Sequence, residues 1–438
     1  MKVLQANERA SVRQLCKWLI ISAVIGILTG SASALFLLSL EAVTSIREAN
    51  PYLLYFLPIG GMTVSYLYWK YGGSCAKGNN LILEQIQGGH ERIPKRLAPF
   101  VLFGTLVTHV LGGSAGREGT AVQMSGSLSD WVGRGFRLSG KERKIALMCG
   151  ISGGFGSVFG TPLAGAIFGM EVVAIGALHL EGLFPCFIAS YIGDYAATAI
   201  WGVHRSHYAA FFPGVALPTI LKVAFAAVLF GLASRGFSSL THGIKRISAR
   251  WIAHPVLRCG IGGTVIVLVT LALGTTAYQG LSLPLAHQSF EGEVAPLSFF
   301  WKAFMTALTL GTGFQGGEVT PLFIIGATLG NTLSAWLHVD MTFLAALGFI
   351  GVFCGAANTP IACMFLAFEI FGTSGSFYIV LTCLISYLVS GHSGIYTSQQ
   401  VSLPKGAQSA RRRAVSLTRF QQLKRRAHKM KHRSSSGQ

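Results

Sequence analysis

Charged residues are scarce in this 438-residue sequence, since Asp, Glu, Lys and Arg together make up 12% of it. Soluble domains typically carry about 25%. Hydrophobic residues make up 51%, and the mean hydropathy is +0.53. This composition excludes a disordered chain and a water-soluble α/β enzyme. The 54 glycines fit a membrane protein, because small residues let membrane helices approach closely.

The sequence also lacks the usual signs of a metal centre or of catalysis. Its eight cysteines are scattered, with no CxxC pair and no histidine at metal-ligand spacing. We therefore expect small buried side chains rather than disulfides or a zinc site. There is no HExxH motif, so we predict neither an enzyme nor a protein with a metal or cofactor.

Acidic residues are the scarcest charge, with 16 against 35 basic residues and a net charge of +19. Eleven of the basic residues lie between Lys405 and Arg433. Such a tail beside an apolar body predicts a cytoplasmic segment near anionic lipid rather than binding to nucleic acid. We expect residues 1–402 to form a transmembrane domain, residues 403–438 to be disordered, and both termini to be cytoplasmic.

Long apolar stretches, such as residues 18–40, cover most of the chain, but several are shorter than the roughly 20 residues that span a bilayer. Glycine clusters interrupt them, at 112–119, 150–160, 311–317 and 391–394. Non-helical backbone at membrane depth survives only where protein or a water-filled cavity satisfies it. The clusters therefore predict broken helices that hold an ion, as in many transporters.

An internal repeat relates two halves of the sequence, at about 15–205 and 215–400. The stretch GREGTAVQMSG at 116–126 matches GGEVTPLFIIG at 316–326, and Thr-Pro dipeptides at 161 and 359 are each followed ten residues later by a glutamate. Aligned features in the same order argue against chance similarity. Two homologous halves with broken helices are typical of transporters.

Glu118 and Glu318 occupy matching positions in this repeat, each next to a helix start. A helix N-terminus binds anions, and a carboxylate there can compete with an anion or leave on taking a proton. Glu118 is thus a candidate for linking anion and proton movement, although it could instead cap a helix and pair with Arg117. For Glu318 a second proton-carrying role and a structural cap both remain open.

The motifs GREGT at 116–120, GTPLAGAIFGMEV at 160–172 and GGEVTP at 316–321, with the late Tyr396, resemble the signature segments of the CLC superfamily of anion channels and anion/proton antiporters. The resemblance implies an all-α polytopic membrane protein. It would have the CLC fold, with two inverted-topology repeats whose broken helices meet at a central anion site. A homodimer with one anion pathway per subunit is also implied.

The resemblance assigns roles to particular residues. Glu118 would be the gate and the external proton carrier, and the Tyr396 hydroxyl would coordinate the anion. Backbone amides around Val319 and Thr320 would complete the site, with Gly78 and Gly116 in the adjoining segments. A tyrosine at the membrane interface is the alternative for Tyr396.

Four departures from the chloride-transporting pattern narrow this assignment. Asn79 stands at the filter serine, Thr120 follows GREG in place of proline, and Val319 replaces a phenylalanine. Val172 stands where classical exchangers carry a second proton glutamate. This combination resembles the bacterial fluoride/proton antiporter branch. The alternatives are a chloride or other anion/proton exchanger and a passive anion channel.

Physical reasoning supports fluoride as the substrate. Fluoride is small and strongly hydrated, so its dehydration requires strong donors at close range. Asn79 offers an amide, and Thr320 and Tyr396 offer hydroxyls, although Asn79 could instead cap a helix. We expect a protein of the bacterial inner membrane that exports fluoride against protons. Three further acids on apolar helices, Glu84, Glu171 and Glu369, are expected to pair with basic side chains or backbone.

Overall fold

A computed structural model describes residues 2–89, 91–204, 208–406, 415–419 and 421–422. The chain is mostly helical. Its α-helices are α1 (Lys2–Ala49), α2 (Leu57–Leu67), α3 (Asn79–Ile86), α4 (Leu97–Val110), α5 (Glu118–Gly135), α6 (Lys141–Phe159), α7 (Pro162–Glu171), α8 (Leu183–Tyr195), α9 (Leu217–Trp251), α10 (Pro255–Leu273), α11 (Leu283–Glu291), α12 (Ser298–Thr312), α13 (Val319–Leu337), α14 (Met341–Ala357), α15 (Pro360–Phe371) and α16 (Ser376–Val389).

Shorter elements connect these helices. Turns of 3-10 helix span Pro51–Phe56, Gly73–Lys77 and Leu180–Gly182, and π-helical turns span Tyr68–Gly72 and Ala196–Ile200. A small sheet is formed by β1 (Ala174–Ile175), β2 (Gln400–Val401) and β3 (Val415–Ser416). β1 pairs in parallel with β2, and β2 pairs antiparallel with β3. The sheet thus joins the end of the first half to the segment that carries Tyr396.

The breaks between helices follow local sequence in the same way in both halves. α6 ends at Gly160 and α14 at Asn358, and both residues adopt left-handed backbone. Glycine and asparagine tolerate that conformation best. A Thr-Pro dipeptide follows in each half, and proline suits the first position of a helix because its missing N–H would be unpaired there. Thus α7 and α15 begin at Pro162 and Pro360.

Four helical segments of the described chain are long and apolar enough to cross a membrane: Val12–Ala49, Leu180–Ile200, Leu217–Trp251 and Pro255–Leu273. Others are shorter apolar helices, such as α4 and α14. α9 exposes large apolar side chains, including Leu217, Leu221 and Trp251. Exposed apolar faces of this extent suit contact with lipid rather than water.

The two halves repeat the same packing scheme and meet along an aromatic core. α1 packs on α6 and α8, while α9 packs on α14 and α16. Between the halves, Phe155 of α6 stacks on Phe168 of α7 at 4.2 Å, and Phe353 of α14 lies 6.2 Å from both rings. Rings packed at these distances are stabilising, so aromatic contacts help to hold the two halves together.

The structure differs from one expectation in the basic tail. Residues 415–416 form β3, and Leu417 is buried against Ile175 and Val401. This part of the segment 403–438 is therefore ordered, because one apolar side chain and strand pairing hold it to the body. Residues 407–414, 420 and 423–438 of the expected disordered tail lie outside the described residues.

Candidate anion-binding site

The loops that precede α5 and α13 are hydrogen-bonded to each other. The Gly116 amide donates to the Gly317 carbonyl at 2.7 Å, and the Gly317 amide donates back to the Gly116 carbonyl at 2.8 Å. A Cβ atom on Gly317 would lie 2.7 Å from the Gly119 nitrogen, so only glycine allows this approach. The pairing brings the N-termini of the two matching helices together.

Glu118 reaches from the start of α5 to the start of α13. Its side chain is 1% exposed. The carboxylate accepts a hydrogen bond from the Thr320 amide at 2.9 Å, a second from the Thr320 hydroxyl, and a third from the Arg117 amide at 3.2 Å. The Arg117 guanidinium is 3.6 Å away. The carboxylate therefore occupies donors at the positive end of α13, where an anion would bind.

Asn79 lies beside the first turn of α5. α3 begins at Asn79, and the preceding Gly78, with φ of +57°, is its N-cap residue. A Cβ atom on Gly119 would be 3.1 Å from the Asn79 amide nitrogen. The Asn79 Oδ1 atom is buried without a hydrogen-bond partner among the described residues. Asn79 is therefore not the cap of α3, and its amide is directed toward the Glu118 helix.

A cavity of about 1490 Å³ opens next to these residues. Gly78, Asn79, Glu318 and Tyr396 all line it. Glu318 is the one acidic side chain among the described residues of the wall, and the basic ones are Lys77, Arg235, Lys245, Arg246, Arg250 and Arg258. We call this cavity the basic vestibule.

Two carboxylates neutralise one of these cations. Glu91 and Glu84 each lie 3.1 Å from the Lys77 ammonium and raise the pKa of Lys77. The other five basic residues still outnumber Glu318 in the described wall, and an excess of fixed positive charge around a concave opening concentrates anions and raises their rate of entry.

Tyr396 is held by backbone and amide contacts of its segment. The Ile395 amide donates to the Ala356 carbonyl at 3.0 Å, and the Asn358 side chain donates to the Ser393 carbonyl at 3.2 Å. The Tyr396 ring packs edge-on against Phe168 at 6.4 Å, and Tyr396 is 5% exposed. Tyr396 thus lies in the wall of the vestibule, which it shares with Glu318.

Comparison with known proteins identifies the family. The family model described as voltage-gated chloride channel matches residues 60–391. The chain belongs to the CLC family. It is 45% identical, over 89% of this chain and 88% of the relative, to a chloride/fluoride channel protein of Pseudomonas syringae pv. tomato.

Solved CLC structures share the fold. A CLC-type fluoride/proton antiporter matches with a TM-score of 0.86 and 34% identity, over 89% of this chain and 98% of that one. A slow cyanobacterial Cl⁻/H⁺ antiporter matches with a TM-score of 0.74 and 18% identity, over 85% and 94%. The predicted CLC fold is therefore confirmed, and with it the two-half membrane architecture.

In this chain, the fold brings the candidate residues together in two adjoining groups. Gly116, Glu118, Val319 and Thr320 lie where α5 and α13 begin, and Val319 is buried in the first turn of α13. The second group, which lines the basic vestibule, consists of Gly78, Asn79, Glu318 and Tyr396. Asn79 connects the two groups because its amide also lies beside Gly119. The roles of these residues in transport stay predictions.

Sequence reasoning missed two polar residues of this region. Gln123, on α5, lines the vestibule and has a buried amide oxygen with no partner among the described residues. Lys302 is completely buried on α12. Lys302 could have been found because it is the one charged residue of the largely apolar α12, and an ionisable residue in a membrane helix indicates a functional or structural partner. Gln123 gives no such signal, because α5 carries several other polar residues.

Proposed function

We propose that this CLC protein is a fluoride/proton antiporter that exports fluoride from the cytoplasm in exchange for protons. The main observation behind this proposal is that the Glu118 carboxylate accepts hydrogen bonds from the amide and the hydroxyl of Thr320. The similarity to a protein named as a chloride/fluoride channel and to one described as a fluoride/proton antiporter supports this assignment.

The proposed exchange follows from competition for the same donors. When Glu118 is ionised, its carboxylate occupies the two hydrogen-bond donors of Thr320. Protonation removes the negative charge that holds the carboxylate there. The carboxyl group then leaves, and an anion takes over the amide and the hydroxyl, since charged acceptors form the stronger hydrogen bonds. Because anion and carboxylate exclude each other, each fluoride that passes is linked to a proton carried by Glu118.

Selectivity for fluoride would arise from the type of donors. Thr320 and Tyr396 offer hydroxyls and Asn79 offers an amide, and these replace part of the water that a small anion must shed. A larger anion needs less compensation for dehydration and so gains less from such donors. The same fold with chloride as substrate is the second candidate, because the named relatives include chloride exchangers.

The inward proton route uses Glu318 in this proposal. Val172 leaves no carboxylate after Glu171, so a proton released by Glu118 needs another acceptor. Glu318 precedes α13 directly and lines the basic vestibule together with Tyr396. Water in the vestibule would complete the path to the cytoplasm.

The proposed setting is the bacterial inner membrane, with a homodimer as the working unit and both termini in the cytoplasm. The basic last turns of α9, which carry Lys245, Arg246 and Arg250, then face the cytoplasm. This agrees with the tendency of basic residues to stay on that side. The vestibule would admit fluoride from the cell.

Flux measurements in proteoliposomes test the proposal. We expect a fluoride gradient to drive proton movement in the opposite direction, and Glu118→Gln to abolish that coupling. Comparing fluoride, chloride and nitrate as the driving anion separates the candidates. Coupled proton flux with chloride but not fluoride would indicate a chloride exchanger, and anion current without proton flux would indicate a channel.

A further inference from the structure

Lys302 forms the centre of a buried polar cluster that includes the loop before Glu118. Its side chain on α12 is completely buried. The ammonium contacts four oxygens: Ser114 Oγ at 3.0 Å, Gly280 O at 2.9 Å, Ser282 Oγ at 2.9 Å and Tyr278 O at 3.3 Å. None of the four is a carboxylate oxygen, and a buried charge in neutral surroundings is costly.

These oxygens belong to two separate loops. Ser114 lies in the loop that leads into α5 and Glu118, whereas the other three residues lie between α10 and α11. The Gly280 amide also donates to the Gly113 carbonyl at 3.1 Å. Lys302 therefore connects a third element, α12, to both loops at their point of contact.

The loop before Glu118 is anchored at every position from 113 to 116. Ser114 donates its amide to the Thr309 hydroxyl at 3.2 Å and shares a hydroxyl hydrogen bond with Thr306 at 2.9 Å. The Ala115 carbonyl lies 3.1 Å from His109 Nε2. Gly116 pairs with Gly317, as described above. Lys302 adds a side-chain hydrogen bond to Ser114 and ties the same amine to three oxygens of the second loop.

We propose that Lys302 is a positioning residue for the Glu118 gate. The inference rests on the proposed antiport. By fixing Ser114, Lys302 holds the backbone that sets where Glu118 begins its helix, and so keeps the carboxylate in reach of Thr320. Without this anchor the carboxylate no longer excludes the anion reliably, and fluoride passes without its proton.

Two serine variants give a matched test. Ser114→Ala and Ser282→Ala each remove one hydroxyl contact to the same ammonium, but only Ser114 lies on the Glu118 loop. We expect Ser114→Ala to lower the number of protons moved per fluoride by about two-fold, the low end of the effect of losing one hydrogen bond, and Ser282→Ala to leave it unchanged. Fluoride and proton fluxes are measured in the same proteoliposomes.

Lys302 itself is tested with Lys302→Met, which keeps the length but not the donors, and Lys302→Arg, which keeps N–H donors at this position. We expect Lys302→Met to lower coupled proton flux about tenfold, since small displacements of a reacting group have effects of at least this size. Lys302→Arg should restore part of it. Thermal unfolding shows which variants fold, and if Lys302→Met does not, the serine pair decides.

The outcomes separate this inference from the proposed function. Equal proton-to-fluoride ratios in Ser114→Ala, Ser282→Ala and the unmodified protein would overturn the role of Lys302 while leaving antiport intact. An equal fall in both serine variants would also overturn it, because that result indicates a general structural clamp. Absence of proton coupling in the unmodified protein would instead refute the antiport.

Discussion

Glu171 and Glu369 each cap the helix on which the other one lies. The Glu171 carboxylate, at the end of α7, accepts hydrogen bonds from the backbone amides of Ile361 at 3.0 Å and Ala362 at 2.7 Å, in the first turn of α15. The Glu369 carboxylate accepts hydrogen bonds from the backbone amides of Leu163 at 2.9 Å and Ala164 at 2.8 Å, in the first turn of α7. Each acid thus satisfies two otherwise unpaired N–H groups.

This reciprocal arrangement explains why two acids persist on apolar helices. α7 and α15 are the same element of the two repeats, and they run in opposite directions so that each C-terminal end meets the other's N-terminus. Both oxygens of each carboxylate are used in backbone hydrogen bonds. Neither acid is therefore positioned to carry a proton, although Glu171 directly precedes Val172, where classical exchangers have their second proton glutamate.

Replacing these acids should affect stability rather than coupling. Glu171→Gln or Glu369→Gln leaves one acceptor oxygen and turns an NH₂ group toward a backbone N–H. We expect each to lower stability by about 1–3 kcal/mol, the cost of an unsatisfied buried group. Thermal unfolding in detergent measures the loss, with Glu293→Gln in an exposed loop as the control. Loss of proton coupling with unchanged stability would contradict this interpretation.

The Thr320 hydroxyl should be required for the exchange. Thr320→Val keeps the shape of the side chain and the backbone amide, but it removes the hydroxyl that donates a hydrogen bond to Glu118. We expect fluoride flux to fall about tenfold, since a hydrogen bond to a charged acceptor contributes roughly 1.5–3 kcal/mol. Thr320→Ser should retain most of the flux. Thr328→Val is the matched control, because that hydroxyl bonds within α13 to the Ile324 carbonyl; an equal fall there would point to general damage.

Asn79 should influence which anion is chosen. Asn79→Ser restores the side chain found at this position in chloride-transporting relatives and removes the amide beside Gly119. We expect the ratio of fluoride to chloride flux to fall several-fold, toward about tenfold if one donor to the anion is lost. Parallel uptake assays with the two anions give the ratio. If it does not change, Asn79 does not contact the permeating anion.

The sequence was sufficient for the repeat and for the helix breaks at the glycine clusters. Both depend on local chemistry, such as a glycine that permits close approach. The pairing of the Gly116 and Gly317 loops and the contact between Glu118 and Thr320 were not predicted, because they join segments about 200 residues apart.

Other features depend on contacts between distant segments. Lys302 receives its partners from two loops that the sequence does not mark as neighbours, and a single lysine in an apolar stretch gives no indication of which oxygens surround it. Leu417 lies in a basic, polar segment, and its order depends on Ile175, more than 200 residues earlier. Composition predicts the average behaviour of such a tail and not one buried side chain.

The positive charge of the basic vestibule should accelerate capture of the anion. Arg246→Gln with Arg250→Gln removes two cations from its wall. We expect fluoride flux at low ionic strength to fall about two- to fivefold, with less effect at high salt, because screening shortens the reach of such fields. Lys222→Gln, near the opposite end of α9 and outside the vestibule wall, is the control. A fall that does not depend on salt would contradict this electrostatic role.

Leu417 should stabilise the segment that presents Tyr396. The Leu417 amide donates to the Gln399 carbonyl at 2.7 Å, and the Gln399 amide donates to the Tyr396 carbonyl at 3.2 Å. The Leu417 side chain is 1% exposed. This short series of contacts links the C-terminal segment to the inner end of the proposed anion path.

Leu417→Ala should therefore change transport and not only stability. Removing the side chain leaves a cavity and costs about 2–5 kcal/mol where the site is fully packed, which is enough to detach β3 from β2. Tyr396 then loses part of its support, and we expect fluoride flux to fall while the proton-to-fluoride ratio stays constant, because Glu118 and Thr320 are untouched. Thr418→Ala, which removes only an exposed hydroxyl bond to the Thr397 carbonyl, should behave as the unmodified protein. A changed ratio in Leu417→Ala would mean that Tyr396 also governs proton transfer.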